Sequence, residues 1–363
     1  MSSLAPRPGI LNVAPYVGGE SKLTGVDRVI KLASNEGALG PSPKAVEAYR
    51  AVALDLHRYP DGSAADLRRT LAARHGLDAE RIVCGAGSDE VLQFLVRAYA
   101  GPGDEVLYSK YGFLMYPISA TACGATPVTA DEVDLTASVD NLLAAVTPRT
   151  RILLLANPNN PTGTYLPAGE LERLRRGLPD NVLLVIDSAY AEFVERNDYT
   201  AGLDMVEAYD TVVMTRTFSK IYGMGGIRLG WAYCPAAVAD VLNRIRGPFN
   251  VTSAALAAGQ AAVEDGDFIE LARRHNSYWR DWLAAELTRL GLFVVPSVTN
   301  FVLVRFPRIP GRDAAAADAH LRSQGIIVRP MKSYGLGDCL RITIGRDDEM
   351  RAVVAALSEF VGT

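Results

Sequence analysis

Residues 211–231, TVVMTRTFSKIYGMGGIRLGW, contain the pattern that decides the fold class. The stretch begins with apolar and β-branched residues, which are typical of a buried strand. Lys220 follows the strand, behind the hydroxyl side chains of Thr217 and Ser219, and a glycine-rich turn then leads to Arg228. A lysine amine can form a Schiff base with an aldehyde, while hydroxyls and a guanidinium can bind a phosphate. The stretch favours a site for an aldehyde that carries a phosphate, and a solvated loop is the alternative.

A second glycine-rich turn follows the strand-like residues 81–85 and opens a predicted helix at Ser88 and Asp89. The N–H groups in the first turn of a helix bind anions. Ser88 and Asp89 are also good capping residues. The sequence is therefore compatible with an anion-binding site here and equally with an ordinary capped helix start.

Two further apolar runs end in dense polar sequence. Residues 151–156 lead into NPNNPTG, which contains Asn160, and residues 182–186 lead directly into Asp187 and then Tyr190. A carboxylate after a buried strand is costly unless it pairs with a cation. A protonated pyridine nitrogen would be such a partner, and an N-cap or a structural ion pair is the alternative.

Strands that alternate with helices predict an α/β fold with an open parallel sheet, and the polar residues mark its ligand-binding edge. Phe113, which follows the strand-like residues 104–108, can stack on a heteroaromatic ring there or pack in the core. After residue 250 a long helical stretch, 254–290, precedes several strands, which predicts a smaller α+β domain. We expect an N-terminal arm at 1–30, a large domain at 31–250 and a small C-terminal domain at 251–363.

Two arginines in the predicted small domain, Arg329 and Arg341, interrupt apolar strands. A guanidinium can bind a carboxylate or a phosphate through two parallel hydrogen bonds. Such arginines also pair with structural acids, so the sequence alone leaves both roles open.

Composition excludes several classes of function. The net charge of −4 and the lack of a basic run argue against a nucleic-acid partner. The sequence contains no run of ~20 apolar residues, so it predicts no membrane-spanning helix. The four cysteines are far apart in the sequence, which favours free thiols over disulfides or a metal site. The N-terminus has no signal-peptide pattern, so we expect a cytoplasmic protein with no metal and with small-molecule substrates.

Taken together, these residues resemble the fold type I aminotransferases, which use pyridoxal 5′-phosphate. The resemblance covers nearly the whole chain and implies a large domain with a mostly parallel central sheet flanked by helices, a smaller α+β domain and an N-terminal arm. The motifs that carry it, in the family's order and spacing, are NPTG at 160–163, DSAY at 187–190, SK at 219–220 and GIRLG at 226–230.

The resemblance implies a role for each matching residue. Lys220 would bond to the cofactor aldehyde and move the substrate proton, Asp187 would keep the pyridine nitrogen protonated, and Phe113 would stack on the ring. Asn160 and Tyr190 would donate to the phenolate oxygen of the ring. The phosphate would be held by Ser88, Asp89, Thr217, Ser219 and Arg228, and by Tyr59 of a second subunit, which implies a homodimer.

A narrower set of motifs is similar to the members of the family that exchange an amino group between L-histidinol phosphate and 2-oxoglutarate in histidine biosynthesis. In that case Arg341 would bind the carboxylate of glutamate, and Tyr16, Asn35, Arg329 and Arg341 would contact the other substrate. The chain departs from the pattern where Gly37-Ala38 replaces the usual Asn-Pro and where Phe113 replaces the usual Tyr. The narrower motifs are APY at 14–16, LASNE at 32–36, GPSP at 40–43, RYPDG at 58–62, GSDE at 87–90 and LRITIG at 340–345.

Other functions remain open at this point. An aromatic-amino-acid aminotransferase shares most of these motifs, and a pyridoxal-phosphate-dependent decarboxylase of a phosphorylated amino acid would be identified by release of carbon dioxide. A nucleotide-binding dehydrogenase would explain Gly85-Ala86-Gly87, but Glu90 stands where its fingerprint needs glycine, and Lys220 would have no role. A non-catalytic sensor usually carries a DNA-binding module in front, where this chain has only a short arm.

Overall fold

The computed structural model describes residues 6–7, 9–13, 15–16, 18–23, 25 and 28–362. Ala14 and several other residues of the predicted arm lie outside this range, as does residue 363. The helices are α1 (Pro43–Ala51), α2 (Ala65–His75), α3 (Ser88–Tyr99), α4 (Met115–Cys123), α5 (Val139–Ala144), α6 (Ala168–Gly177), α7 (Leu203–Ala208), α8 (Ala236–Ile245), α9 (Ser253–Glu264), α10 (Gly266–Arg289), α11 (Ala314–Ser323) and α12 (Asp347–Val361). The strands are β1 (Ile30–Lys31), β2 (Ile82–Gly85), β3 (Glu105–Ser109), β4 (Thr126–Ala130), β5 (Thr150–Ala156), β6 (Leu183–Asp187), β7 (Val212–Thr217), β8 (Gly230–Tyr233), β9 (Phe293–Val295), β10 (Phe301–Arg305), β11 (Ile326–Ile327), β12 (Arg329–Pro330) and β13 (Cys339–Thr343).

The central sheet has the strand order β2-β8-β7-β6-β5-β3-β4. Its neighbouring strands run parallel except where β8 pairs with β2 and β7 in the antiparallel direction. The prediction of a mostly parallel sheet is confirmed, and β8 makes the sheet mixed. Sequence analysis did not identify β8, because this four-residue strand begins with a glycine and directly follows a glycine-rich turn.

Both faces of the central sheet are covered. Along β5, Leu153 and Leu155 belong to the hydrophobic cluster on one face, and Ile152 and Leu154 belong to the cluster on the other face. This alternation follows from the two-residue period of a strand. A strand that is buried on both faces needs a nearly continuous apolar run, which is why β5, β6 and β7 were recognisable in the sequence.

A second, antiparallel sheet with the order β12-β13-β10-β9 lies in the C-terminal part of the chain. A separate hydrophobic cluster contains Leu283 of α10, Leu321 of α11 and Leu357 of α12 together with strand residues of this sheet, as the predicted smaller α+β part requires. Strand β1 pairs in parallel with β11, which links the beginning of the chain to its C-terminal part. The predicted domain boundaries at residues 30 and 250 remain predictions.

Two details of the predicted helices differ from the structure. The single stretch predicted at 254–290 is two helices, α9 and α10, because the backbone of Asp265 leaves the helical region between them (φ −89°, ψ 65°). Helix α1 ends at Ala51, and a short 3-10 turn, Val52–Asp55, continues it. Within the described residues, no helix combines the length and the apolar character needed to cross a membrane.

Gly230 fixes how closely β8 approaches the first turn of α3. A Cβ atom built on Gly230 would lie 2.2 Å from the backbone nitrogen of Ser88 and 2.6 Å from the carbonyl carbon of Gly87. Both contacts are to backbone, so a larger residue would have to displace the beginning of the helix.

We therefore expect Gly230→Ala to lower the free energy of unfolding by about 1–3 kcal/mol. Gly169→Ala is the matched control, because Gly169 lies in α6 and a Cβ there would meet nothing within 4 Å. Urea unfolding of both variants measures the difference. Equal stability of the two variants would contradict the proposed close approach.

Candidate active site

A cavity of about 280 Å³ lies at the carboxyl ends of the central strands, next to the C-terminal part of the chain. It brings together residues that are far apart in the sequence. The predicted site residues that line it are Tyr16, Asn35, Ser88, Asp89, Phe113, Asn160, Asp187, Tyr190, Thr217, Ser219, Lys220, Arg228, Arg329 and Arg341.

Lys220 is a partly buried amine that lines this cavity. It follows the end of β7 and donates a hydrogen bond to the carbonyl oxygen of Ser34 at 3.3 Å. Burial, and then the positive charge of Arg341, lower the pKa of Lys220 to about 8. A fraction of the amine is therefore neutral near pH 8 and available as a nucleophile.

Asp187 is the last residue of β6, and its carboxylate is buried. Tyr116 donates to Oδ2 at 2.8 Å, and Thr215 donates to Oδ1 at 3.0 Å. Burial raises the pKa of Asp187 to about 6, and the two hydroxyl donors oppose this shift. A cation placed against this carboxylate would favour its ionised form.

Neighbouring residues orient one amide group and one hydroxyl group in the cavity, those of Asn160 and Tyr190. Asn160 accepts a hydrogen bond on Oδ1 from Nη1 of Arg341, which leaves its Nδ2 hydrogens for another acceptor. The hydroxyl of Tyr190 accepts a hydrogen bond from Nδ2 of Asn35 at 2.8 Å. Both groups can therefore donate to an oxygen atom in the cavity.

An anion cradle lies around the first turn of α3, where Ser88 and Asp89 line the cavity. Gly87, just before the helix, has a left-handed φ of 88°, and a Cβ atom there would lie 2.3 Å from Nη2 of Arg228. Arg228 donates to Oγ of Ser219 at 3.2 Å and to Asp89 at 3.4 Å. A phosphate could be bound here by the N–H groups at the start of α3, the guanidinium of Arg228 and the hydroxyls of Thr217 and Ser219.

The other side of the cavity is cationic and aromatic. Arg341 donates to the carbonyl oxygen of Ala33 at 2.8 Å, and its buried Nε has no hydrogen-bond partner among the described residues. Burial lowers the pKa of Arg341, a shift that a bound anion would oppose. Arg329 lies in the strand next to β13, paired with Arg341 across the two strands. Tyr16 meets Phe113 edge to face at 6.3 Å between ring centroids.

Tyr59 is the predicted site residue that the cavity does not include. It is 82% exposed and stacks on Phe249 with 4.7 Å between ring centroids. The predicted role of Tyr59 required a second subunit, which leaves that role a prediction.

Sequence analysis missed several residues of the site. Thr215 had a usable signal, because it lies two residues before Thr217 on β7 and so points to the same face of the sheet. Tyr116 was not predicted to belong to the site, although its hydroxyl donates to Asp187. The residues that line the cavity and were not predicted as site residues include Ser34, Glu36, Pro158 and Tyr334.

The part of the chain that the structure describes contains no group of three or more histidine, cysteine, aspartate or glutamate side chains that could hold a metal ion.

Comparison with known proteins gives the family. The model of the family described as aminotransferase class I and II matches residues 27–357. Histidinol-phosphate aminotransferase of Paramagnetospirillum magneticum is 69% identical over 362 residues, with 100% of both chains covered. That of Rhodospirillum rubrum is 60% identical, with 98% of this chain and 96% of the relative covered.

A solved structure supports the same assignment. The histidinol-phosphate aminotransferase of Sinorhizobium meliloti, in complex with pyridoxal-5′-phosphate, matches with a TM-score of 0.89 and 30% identity, and 99% of each chain is covered. The predicted fold and enzyme class are confirmed: the chain belongs to the aminotransferase class I and II family.

Proposed function

We propose that this aminotransferase exchanges an amino group between L-histidinol phosphate and 2-oxoglutarate, with pyridoxal 5′-phosphate bound in the cavity that Lys220 lines. The proposal rests on the chemical groups that line that cavity. A partly buried amine and a buried carboxylate line the same cavity as a phosphate cradle and a pair of arginines. The curated relatives described above bear the corresponding name.

Pyridoxal 5′-phosphate is the cofactor, and the chemistry of the lining residues fits its groups. Asp187, whose pKa is raised by burial, would gain a cationic partner in the protonated ring nitrogen. Asn160 and Tyr190 would donate to the phenolate oxygen, and Phe113 would lie against the ring. The phosphate would be held by the N–H groups at Ser88 and Asp89 and by Thr217, Ser219 and Arg228.

When bound, the cofactor withdraws electrons from the amino-bearing carbon of the substrate. The chain supplies the proton transfers. Lys220, with a pKa of about 8, can hold a proton on Nζ or release it near neutral pH, as a group that moves a proton to and from the substrate carbon requires.

The arginine pair explains how one site accepts both a carboxylate and a phosphate. A guanidinium presents a planar fork of donors that fits oxygen pairs of either anion. Among the described residues, Nε of Arg341 has no hydrogen-bond partner, and Nη1 and Nη2, which donate to Asn160 and Ala33, each carry a second hydrogen. Tyr16, Asn35 and Arg329 complete the proposed substrate end of the cavity.

The proposal extends to assembly and compartment. Tyr59 would reach the cofactor phosphate of a second subunit, so the functional unit would be a homodimer. Its exposed position beside Phe249 is consistent with a contact that forms between subunits. Cys84, Cys123, Cys234 and Cys339 are free thiols, which suits a cytoplasmic enzyme.

Turnover tests the substrate assignment directly. Purified holoenzyme mixed with L-histidinol phosphate and 2-oxoglutarate should form L-glutamate, because the arginine pair can bind either anion. A higher kcat/KM for phenylalanine or tyrosine would instead identify an aromatic aminotransferase. Release of carbon dioxide without glutamate would identify a decarboxylase.

Lys220→Ala should abolish both turnover and the absorbance band of the lysine-linked cofactor, because no other amine lines the described cavity. In the wild-type apoenzyme, the reaction of Lys220 with added cofactor should accelerate as pH rises through about 8, where the amine loses its proton. Absorbance changes after mixing measure this rate. A pH-independent rate between pH 6 and roughly 9 would contradict a nucleophilic amine of that pKa.

Asp187→Asn keeps the volume of the side chain but removes the charge that would pair with the ring nitrogen. Breaking a buried ion pair costs about 3–5 kcal/mol, so kcat should fall by roughly a hundredfold to several thousandfold. Asp265→Asn is the matched control, since Asp265 is also a buried acid but lies outside the cavity. Unchanged kcat in Asp187→Asn holoenzyme would rule out the proposed role.

A further inference from the structure

Residues 32–36 connect the C-terminal sheet to the cavity, and hydrogen bonds hold each carbonyl oxygen of this segment. Asn35, in its centre, has a left-handed φ of 55°, which is uncommon for a residue other than glycine. The donors are the backbone nitrogen of Thr343 to Leu32 (3.0 Å), Arg341 to Ala33 (2.8 Å), Lys220 to Ser34 (3.3 Å), and Asn300 to Asn35 (3.0 Å) and Glu36 (3.3 Å).

The side chain of Asn35 is oriented by a single hydroxyl group, that of Thr343 on β13. The Thr343 hydroxyl oxygen accepts from the backbone N–H of Asn35 at 3.0 Å, and the hydroxyl donates to Oδ1 of Asn35 at 3.1 Å. Because Oδ1 is used in this way, the amide must present Nδ2 on its other side. That group donates to the hydroxyl of Tyr190 at 2.8 Å.

This arrangement leaves the hydroxyl hydrogen of Tyr190 free to point elsewhere. A tyrosine hydroxyl has one hydrogen, and a group that accepts from Asn35 cannot donate to the same atom. Within the described residues, the hydroxyl makes no other side-chain hydrogen bond than the one from Asn35. Burial raises the pKa of Tyr190 above its usual value, so the group keeps its proton at neutral pH.

The charged and titratable groups that face Tyr190 leave its hydroxyl protonated and free of a second side-chain partner among the described residues. Lys220 lies with Nζ 5.7 Å from the centre of the Tyr190 ring, and Arg341 is a second cation nearby. Asp187 and Tyr334 act on Tyr190 only through their charge, and Asp187 already accepts hydrogen bonds from Tyr116 and Thr215.

We propose that Thr343 is a positioning residue that fixes the direction of the hydrogen-bond chain from Thr343 through Asn35 to Tyr190, so that Tyr190 donates to the phenolate oxygen of the cofactor. The inference rests on the proposed function, in which Tyr190 contacts that oxygen. Without the Thr343 hydroxyl, the Asn35 amide can turn over and present Oδ1 to Tyr190. The Tyr190 hydrogen would then point to Asn35 and away from the cavity.

The visible absorbance of the lysine-linked cofactor reports this hydrogen bond without any turnover. A donor at the phenolate oxygen stabilises the deprotonated, more anionic form, so its loss raises the midpoint pH of the absorbance change. One hydrogen bond corresponds to a shift of about 1 pH unit, which we expect for Tyr190→Phe. Thr343→Val should raise the midpoint by a smaller amount, and Thr343→Ser, which keeps the hydroxyl, should restore the wild-type midpoint.

The double variant Thr343→Val/Tyr190→Phe shows whether Thr343 acts on the cofactor through Tyr190 or independently of it. Its midpoint should equal that of Tyr190→Phe alone, because Thr343 acts through Tyr190. Additive shifts, or an unshifted midpoint in folded Thr343→Val holoenzyme, would overturn the inference. An unshifted midpoint in Tyr190→Phe would instead reject the proposed contact between Tyr190 and the cofactor.

Asn35→Asp provides a second test if Thr343→Val does not fold. The carboxylate can only accept hydrogen bonds, so Tyr190 should donate to it. The added negative charge should also raise the midpoint pH of the absorbance change, whether residue 190 is tyrosine or phenylalanine. The shift caused by Asn35→Asp should therefore be larger with Tyr190 present than in the Tyr190→Phe background. Equal shifts in the two backgrounds would overturn the inference.

Discussion

The burial of two ionisable groups at the ends of neighbouring strands is the constraint on which the whole site depends. Asp187 ends β6, which pairs in parallel with β7, and Lys220 follows β7 three residues after its end. Burial raises the pKa of the acid and lowers the pKa of the amine, so the protein alone stabilises neither charge fully. A ligand that offers a cationic ring nitrogen to the acid and an aldehyde to the amine resolves both costs at once.

The second requirement is that the C-terminal part of the chain reaches into the same cavity. Strand β13 carries Arg341 and Thr343 on the same face, two residues apart, and each contacts residues of the cavity from other elements. Segment 32–36 lies between this strand and Lys220, and β1 ties it to β11. The proposed substrate binding at Arg341 would be connected to Asn160 through the hydrogen bond that Arg341 donates to it.

The sequence predicted the parts of the fold that depend on local patterns. Continuous apolar runs identified β5, β6 and β7, because a strand buried on both faces cannot alternate with polar residues. The polar residues after those runs identified Asp187, Asn160 and Lys220 as candidates, since the carboxyl ends of parallel strands meet at one edge. Strand β8 carries no such signal, since it starts with Gly230 and has only four residues.

Contacts between distant segments were beyond sequence reasoning. Nothing in the sequence around Tyr116 shows that its hydroxyl reaches Asp187, 71 residues further along the chain. The same holds for Thr343 and Asn35, which are separated by 308 residues. Asn35 lines the cavity, and the hydrogen bonds of its side chain go to Tyr190 and Thr343, while its contact with substrate stays a prediction. The roles of individual residues therefore depend on tertiary packing that local patterns do not encode.

A crystal structure of the protein with pyridoxal 5′-phosphate would show whether Asp187 and Lys220 hold the same cofactor molecule. The account predicts that a carboxylate oxygen of Asp187 lies within about 2.7–2.9 Å of the ring nitrogen, as a charge-assisted hydrogen bond requires. It also predicts continuous density between Nζ of Lys220 and the aldehyde carbon of the same cofactor molecule. A cofactor bound with its ring nitrogen away from Asp187, or without a bond to Lys220, would contradict the account.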